Sequence, residues 1–284
     1  MTLCDLHMHS THSDGTDSPR RLVEMAKEKG LAAIAVTDHD TFSAVDEAKA
    51  AGKELGVRVL SGVEISVEYA GKTVHMLGYC FDAGAGTLKV KLDEILQGRD
   101  ERNHQIVQKL NDLGMELSYD EIKAEAGGKV VGRPHFAAVM IRKGFIKERQ
   151  EAFDKYLAKG AAAYVDRLRF GPEDSVAMIR EAGGVAVLAH PKLVRFPEGE
   201  KLEDLVKSLA DTGLGGIECH YSLHSPEETQ QYLELAKRYN LVVTGGSDYH
   251  GRNKPTIQMG IGEGNLAVPI QCADELEAKA AASV

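Results

Sequence analysis

The chain has 284 residues, enough for one barrel-sized domain or for one domain with an insertion. Its apolar content of 43% and charged content of 27% are typical of a globular protein, and no apolar run is long enough for a membrane span. The net charge of −9 disfavours stable binding to duplex DNA, because proteins that bind long nucleic acids are usually basic.

The first part of the chain alternates between short apolar runs and amphipathic helices. Residues 2–6 are typical of a strand, and no basic segment with an apolar core precedes them, so we expect no secretory signal. Ser18 and Pro19 predict the start of a helix that ends before Gly30. A second helix is expected to begin near Ser43 and to end at Gly56.

Further strands and helices follow the same order. The apolar runs predict buried strands, and the intervening patterns include helices at 172–182 and 225–239. The alternation predicts an α/β fold with a parallel sheet or barrel. The predicted strands after the first are 32–36, 57–60, 185–189, 216–219 and 241–244.

Residues 98–169 interrupt the alternation and are helical in pattern. Ile95, Ile106, Leu110 and Leu113 are spaced as one face of a long helix, and Ser118 with Glu121 is a candidate capping box. The predicted domains are a barrel formed by 1–97 and 170–284 and a helical insertion at 98–169. The insertion carries a net charge of +3 and the remainder −12. A mixed-charge solvated surface and a basic lid for an anionic substrate both explain this contrast.

Acidic residues and histidines follow the predicted strands at five or more places. Two of these strand ends carry a pair of such residues. The carboxyl ends of barrel strands converge on one face, where so many carboxylates and imidazoles need cations between them. Alternate residues of a strand share a face, so His7 and His9 are placed to bind one ion. Mixed nitrogen and oxygen donors favour Mn²⁺, Fe²⁺ or Zn²⁺ over Ca²⁺.

The motifs at these strand ends resemble the PHP family, the polymerase and histidinol phosphatase superfamily. The resemblance implies a distorted seven-stranded β/α barrel that holds two or three divalent ions at its C-terminal face, with Mn²⁺ favoured. The matching stretches, in family order, are Asp5-Leu6-His7-Met8-His9-Ser10, Thr37-Asp38-His39-Asp40-Thr41, Gly62-Val63-Glu64-Ile65-Ser66, Leu188-Ala189-His190-Pro191 and Gly246-Ser247-Asp248-Tyr249-His250-Gly251.

Carried over by position, the resemblance implies three ion sites. The first takes His7, His9, Glu64 and Asp248, the second takes Asp14, His39 and His250, and the third takes His75 and His190 with Glu64 bridging. His190, His39 and Asp248 are the candidate catalytic residues, and the acid that protonates the leaving group stays open between His39 and His190. Water activated by the metals is expected to attack phosphorus.

Asp14 and the sequence Gly132-Arg133-Pro134-His135 point to one branch of the family. They resemble nucleoside 3′,5′-bisphosphate phosphatases and related 5′–3′ exonucleases. Arg133 is the leading phosphate contact, since a guanidinium matches phosphate oxygens bidentately, although arginine is also common at a helix start. The other candidate substrate contacts, each with a structural alternative, are His135, Arg102, Asn103, Lys192, Ser222, His224 and Arg252.

The sequence therefore predicts hydrolysis of the 3′-phosphate of a nucleoside 3′,5′-bisphosphate. The alternatives are a 5′–3′ exonuclease on short oligonucleotides, a histidinol phosphate phosphatase, which Asp14 disfavours, and a non-catalytic metal-binding module. The expected partners are small nucleotides or short oligonucleotides, with no membrane. Four cysteines without a close pair predict free thiols and a cytoplasmic location.

Overall fold

A computed structural model describes residues 2–84, 86–127 and 130–282 of the chain. The elements in chain order are β1 (Leu3–Asp5), α1 (Pro19–Glu28), β2 (Ala33–Ala35), α2 (Val45–Leu55), β3 (Arg58–Leu60), β4 (Gly62–Tyr69), β5 (Lys72–Tyr79), α3 (Gly86–Asp112), α4 (Tyr119–Ala126), α5 (Arg133–Arg142), α6 (Arg149–Ala152), α7 (Pro172–Glu181), β6 (Val185–Leu188), α8 (Leu202–Thr212), β7 (Gly216–Tyr221), α9 (Pro226–Arg238), β8 (Val242–Gly246), β9 (Val268–Pro269) and α10 (Gln271–Ala281).

The strands form two sheets. One has the order β3-β2-β1-β9 and the other the order β4-β5-β6-β7-β8. The predicted parallel pairing holds for β1 with β2 and β2 with β3, and for β6 with β7 and β7 with β8. The mixed α/β class is confirmed, whereas the described strands form sheets of four and five strands, so the seven-stranded barrel stays a prediction.

A β-hairpin that the sequence patterns did not predict supplies two of the site's strands. β4 and β5 pair antiparallel along their length, and Ala70 and Gly71 form the two-residue turn with φ of 49° and 71°. Positive φ at both positions is the geometry that matches the twist of a tight hairpin. The hairpin places Glu64 within β4 and His75 within β5, rather than in loops after strands.

Several helix boundaries follow from local capping. The Ser18 side chain accepts a hydrogen bond from the Arg21 backbone N–H at the start of α1, with Pro19 next in sequence, as predicted. Ser118 and Glu121 form the predicted capping box of α4. Ser43 is not the N-cap of α2, because that helix begins one residue later and has Ala44 at the N-cap.

The chain forms two compact units. One contains residues 1–92 and 169–284, and the other contains residues 93–168. The larger unit buries a core between strands and α10, including Leu6, Tyr79, Val187 and Leu276. None of the helices in the described ranges combines the length and apolar character needed to cross a bilayer.

The smaller unit has an apolar core of its own. Ile106 and Leu110 of α3 pack there with Phe136 of α5, and all three side chains are fully buried. Leu113 does not continue this buried face, because α3 ends at Asp112 and the Leu113 side chain is half exposed. Leu113 therefore does not belong to the buried helix face that the sequence predicted.

Candidate metal centre

Backbone hydrogen bonds align the strand ends that carry the predicted ligands. The Asp248 N–H donates to the His7 carbonyl at 2.7 Å, and the His9 N–H donates to the Tyr249 carbonyl at 2.8 Å. Parallel bridges join Met8 with Tyr249 and His39 with Glu64, so ends of the two sheets meet here. The local pairing explains why ligands distant in sequence lie side by side.

Two ligands have backbone conformations that side chains rarely adopt. His190 has a φ of 26° and Asp248 a φ of 58°. Both backbone N–H groups are held by short hydrogen bonds, His190 to the Glu218 carboxylate at 2.7 Å and Asp248 to the His7 carbonyl at 2.7 Å. Strained residues held by their surroundings are concentrated at functional sites, which fits a ligand role for both.

The nine predicted ligands fall into four overlapping groups, in each of which one donor atom per residue lies within 4.8 Å of the others. His9 joins the group of Asp14, His39 and His250 and also that of Asp248, so it is placed between two of the ion sites that the resemblance implies. The groups are His9 with Asp14, His39 and His250; His7 with Glu64 and His190; His7 with His9 and Asp248; and His39 with Glu64 and His75.

Glu64 lies at the centre of the cluster and is 1% exposed. Its Oε1 lies 2.8 Å from His75 Nδ1 and 3.0 Å from His190 Nε2, and its Oε2 lies 3.1 Å from His39 Nδ1. A carboxylate with different histidines around each oxygen has the geometry of a bridge between ions.

Several donor atoms in the cluster are buried without a hydrogen-bond partner, which tests whether the residues fit metal ions. A buried polar atom without a partner is costly, and such atoms are uncommon in folded proteins. Imidazole nitrogens and carboxylate oxygens that converge in this way match divalent transition ions. Within the described part of the chain, these atoms are His7 Nε2, His9 Nε2, Asp14 Oδ1, His39 Nδ1, Glu64 Oε2 and His190 Nδ1.

The carboxylates of the cluster stay charged. Burial would raise the pKa of Asp14, but the neighbouring His250 and His39 outweigh burial and hold it well below its usual range. The pKa of Glu64 is likewise lowered, against the effect of burial, by His75 and His39. The pKa of Asp248 is lowered by Lys254 and His250. Ionised carboxylates are the form that binds cations.

The pKa values of the histidines shift in different directions. Burial would lower the pKa of His9, but the Asp248 and Glu64 carboxylates outweigh it and raise the pKa to about 9. The pKa of His7 is raised well above 6.5, against burial, by Glu218 and Glu64. Burial lowers the pKa of His39 to about 3. Metal ions that bind here therefore compete with protons on His7 and His9.

A second layer of buried carboxylates orients the ligands. Glu218 is fully buried, and its Oε1 accepts a hydrogen bond from His7 Nδ1 at 2.8 Å while its Oε2 accepts from the His190 N–H. Because a carboxylate only accepts, His7 Nδ1 carries a proton, which leaves Nε2 as the ring atom that would bind a metal ion. Sequence analysis assigned no role to Glu218.

Asp5 and Asp38 hold the loops that carry ligands. Asp5 accepts hydrogen bonds from the backbone and hydroxyl of Ser247, next to Asp248. Asp38 accepts from the backbone and hydroxyl of Ser10 and from the Ser13 hydroxyl, next to Asp14. Both aspartates belong to the recognised motifs, but only the structure shows that they serve the loops.

The candidate substrate contacts of the larger unit have different environments. Lys192 Nζ is paired with Glu228 Oε2 at 2.8 Å, and Ser222 is buried with its hydroxyl donating to the Ser247 carbonyl. His224 is buried, and its Nδ1 donates to the Cys219 carbonyl at 2.9 Å. Arg252 is exposed.

The candidates of the smaller unit are partly or wholly buried. Arg133 begins α5 and donates to the Leu157 carbonyl at 3.0 Å, and His135 Nδ1 accepts from the Gly132 N–H. Asn103 is 1% exposed and donates to the Val131 carbonyl, and Arg102 is 4% exposed.

Comparison with known proteins identifies the family of the chain. Residues 5–165 match the PHP domain family. The chain is 30% identical to a solved structure from Bifidobacterium adolescentis, described as a metal-dependent phosphoesterase. The TM-score is 0.85, and the match covers 98% of this chain and 96% of that one.

Three curated bacterial relatives differ in their named activities. A 5′-3′ exoribonuclease of Haemophilus influenzae is 34% identical, over 87% of this chain and 89% of the relative. A 3′,5′-nucleoside bisphosphate phosphatase of Chromobacterium violaceum is 34% identical, over 88% of each chain. A phosphoribosyl 1,2-cyclic phosphate 1,2-diphosphodiesterase of Eggerthella lenta is 33% identical, over 87% and 94%.

Proposed function

Because the chain belongs to the PHP domain family, we propose that it is a metal-dependent phosphoesterase that removes the 3′-phosphate of nucleoside 3′,5′-bisphosphates. The observation that supports this most strongly is the convergence of nine histidine and carboxylate side chains that could hold metal ions, several of which have a buried donor atom without a hydrogen-bond partner. We further propose that the two sheets act as the distorted barrel of the family and that the ions are two or three Mn²⁺.

When bound, divalent ions lower the pKa of a coordinated water and offset charge on the phosphate. The chain's own residues set the geometry around them. Glu64 would hold neighbouring ions together, and Glu218 fixes the ring of His7. The Oδ1 atom of Asp248 faces His9 Nε2, and its Oδ2 atom accepts a hydrogen bond from the Tyr221 hydroxyl. Protonation of the leaving oxygen is proposed for His190 or His39.

The same centre suits a second substrate. The exoribonuclease relative is as similar as the bisphosphate phosphatase, so short oligonucleotides are the alternative substrate. The overall charge of −9 favours small nucleotides. Arg133, His135, Arg102 and Asn103 stay predictions as substrate contacts. The free state of all four cysteines supports the proposed cytoplasmic location.

The test compares three substrates with the purified Mn²⁺-loaded protein. These are adenosine 3′,5′-bisphosphate, a matched 5′-phosphorylated pentanucleotide and a ribose 1,2-cyclic phosphate. We expect the bisphosphate to give the highest kcat/KM, with AMP and inorganic phosphate as products. A faster pentanucleotide or cyclic phosphate would overturn the substrate assignment. Glu64→Gln should lower kcat/KM on the order of a hundredfold or more, while exposed Glu181→Gln should not.

A further inference from the structure

The loop that follows His250 is attached to the segment that carries Asp14. The Arg252 backbone N–H donates to Thr16 Oγ1 at 3.0 Å, and Asn253 Nδ2 donates to the Asp14 carbonyl at 2.7 Å. These bonds fix the backbone of the loop beside the ligand cluster. The position of Lys254, the next residue, is therefore defined by the fold.

Lys254 places a cation beside the cluster. Its Nζ donates to Asp248 Oδ2 at 2.6 Å, and the Tyr221 hydroxyl donates to the same oxygen at 2.9 Å. The other carboxylate oxygen, Oδ1, lies 3.3 Å from His9 Nε2. Lys254 is thus separated from the ligand atoms of the cluster by a single carboxylate group.

The ammonium group of Lys254 keeps donors available. It has three N–H groups, and the structure gives Nζ one hydrogen-bond partner among the described residues. Its side chain is 40% exposed, whereas Asp248 is 7% exposed. Tyr221 has a single hydroxyl proton, already donated to Asp248, so it cannot serve a ligand in the same way.

The partners of the Lys192 ammonium group differ from those of Lys254. Lys192 is a candidate substrate contact from the sequence, but its Nζ is held by the Glu228 carboxylate and the Leu223 carbonyl. Lys254 instead contacts a residue of the ligand cluster itself. Sequence analysis gave Lys254 no role.

We propose that Lys254 binds a phosphoryl oxygen of the substrate at the metal centre. A protonated lysine forms strong charge-assisted hydrogen bonds with phosphate. One N–H group of Lys254 donates to Asp248. The remaining N–H groups donate hydrogen bonds to the non-bridging oxygens of a phosphate ester or of the released inorganic phosphate. This inference rests on the proposed phosphoesterase function and deepens it by adding a substrate contact within the larger unit.

The test uses the full-length Mn²⁺-loaded protein and inorganic phosphate as the probe. Lys254→Met keeps most of the side-chain volume and removes the charge, and Lys254→Arg retains a cation. Tyr221→Phe is the matched control, because it removes the other donor to Asp248 Oδ2. The Kd of phosphate is measured by calorimetry, and bound Mn²⁺ is counted by atomic spectroscopy on the same samples.

Lys254→Met is expected to weaken phosphate binding by about tenfold or more at unchanged Mn²⁺ content, as loss of a charged hydrogen bond implies. Lys254→Arg and Tyr221→Phe should stay within about threefold of the parent Kd. An unchanged Kd in Lys254→Met overturns the proposal. So does loss of Mn²⁺ in that variant, since it would make Lys254 a positioning residue for Asp248.

Phosphate binding is measured without turnover, so the two proposals can fail separately. A protein that binds phosphate through Lys254 but does not hydrolyse the bisphosphate refutes only the substrate assignment. Hydrolysis of the bisphosphate with a Kd of phosphate that does not depend on Lys254 refutes only the role of Lys254.

Discussion

Replacing Glu218 with glutamine tests whether a buried carboxylate that is hydrogen-bonded to candidate ligands affects metal binding. The carboxylate accepts two hydrogen bonds, from His7 Nδ1 at 2.8 Å and from the His190 N–H at 2.7 Å. Glutamine offers only one oxygen. If that oxygen keeps the backbone N–H of His190, the amide NH₂ faces His7 Nδ1 and forces its proton to Nε2.

A proton on Nε2 blocks the atom that His7 directs at the cluster. Loss of such a supporting partner typically lowers metal affinity about 10- to 100-fold, which corresponds to roughly 1.4–2.8 kcal/mol. We therefore expect Glu218→Gln to bind Mn²⁺ weaker by this factor, with a free energy of unfolding lower by about 1–3 kcal/mol in the metal-free protein.

The assay is a competition titration of Mn²⁺ against a chelator of known affinity, at fixed pH. Exposed Glu181→Gln makes the same chemical change on the surface and serves as the control. Mn²⁺ affinity of Glu218→Gln within about twofold of the parent would refute the orienting role, because it corresponds to less than about 0.5 kcal/mol.

Three further expectations follow from the same structure. The pKa of His9 is raised to about 9, so its proton stabilises the metal-free fold below about pH 6.5, and this stabilisation is lost as the pH rises through about 9. Thermal unfolding with chelator should show a midpoint that falls over this interval, and less so in His9→Gln; a flat profile contradicts the assignment. Asp38→Ala removes three hydrogen bonds to the loop that carries Asp14, and should lower the free energy of unfolding on the order of 3 kcal/mol and weaken Mn²⁺ binding, as measured by denaturant titration and metal competition. Metal binding equal to that of the parent would show that the loop is held by other contacts. Ser225→Ala removes the N-cap of α9 and should cost about 1 kcal/mol in the same denaturant titration without changing the Kd of phosphate.

Local signals in the sequence predicted much of the larger unit. Ser18 with Pro19, and Ser225 with Pro226, mark helix starts because capping depends on residues three or four apart. The apolar run of β6 is continuous, and every residue of this strand is buried, as expected for a strand that is covered on both faces.

The hairpin of β4 and β5 could not be predicted from the same signals. Its turn is Ala70-Gly71, which lacks the asparagine or aspartate that usually marks such turns. Its first strand does alternate between apolar and polar residues from Val63 to Glu68, which is typical of a strand, but the turn that follows gives no comparable signal.

The convergence of the candidate ligands was predictable because histidine and carboxylate are unusual at so many strand ends. The residues that position these candidate ligands were not predictable. Glu218 lies in β7 between Ile217 and Cys219, and no spacing rule shows that its carboxylate contacts His7. Lys254 approaches Asp248 because its loop is bonded to Thr16 and Asp14, which are more than two hundred residues earlier in the chain.

Anomalous diffraction at the manganese edge, from crystals of the Mn²⁺-loaded protein, tests the proposed metal centre most directly. Two or three peaks are expected among the nine ligands, with ligand atoms at about 2.0–2.3 Å and one peak on each side of Glu64. A single peak, or none at saturating Mn²⁺, would contradict a multi-metal phosphoesterase centre.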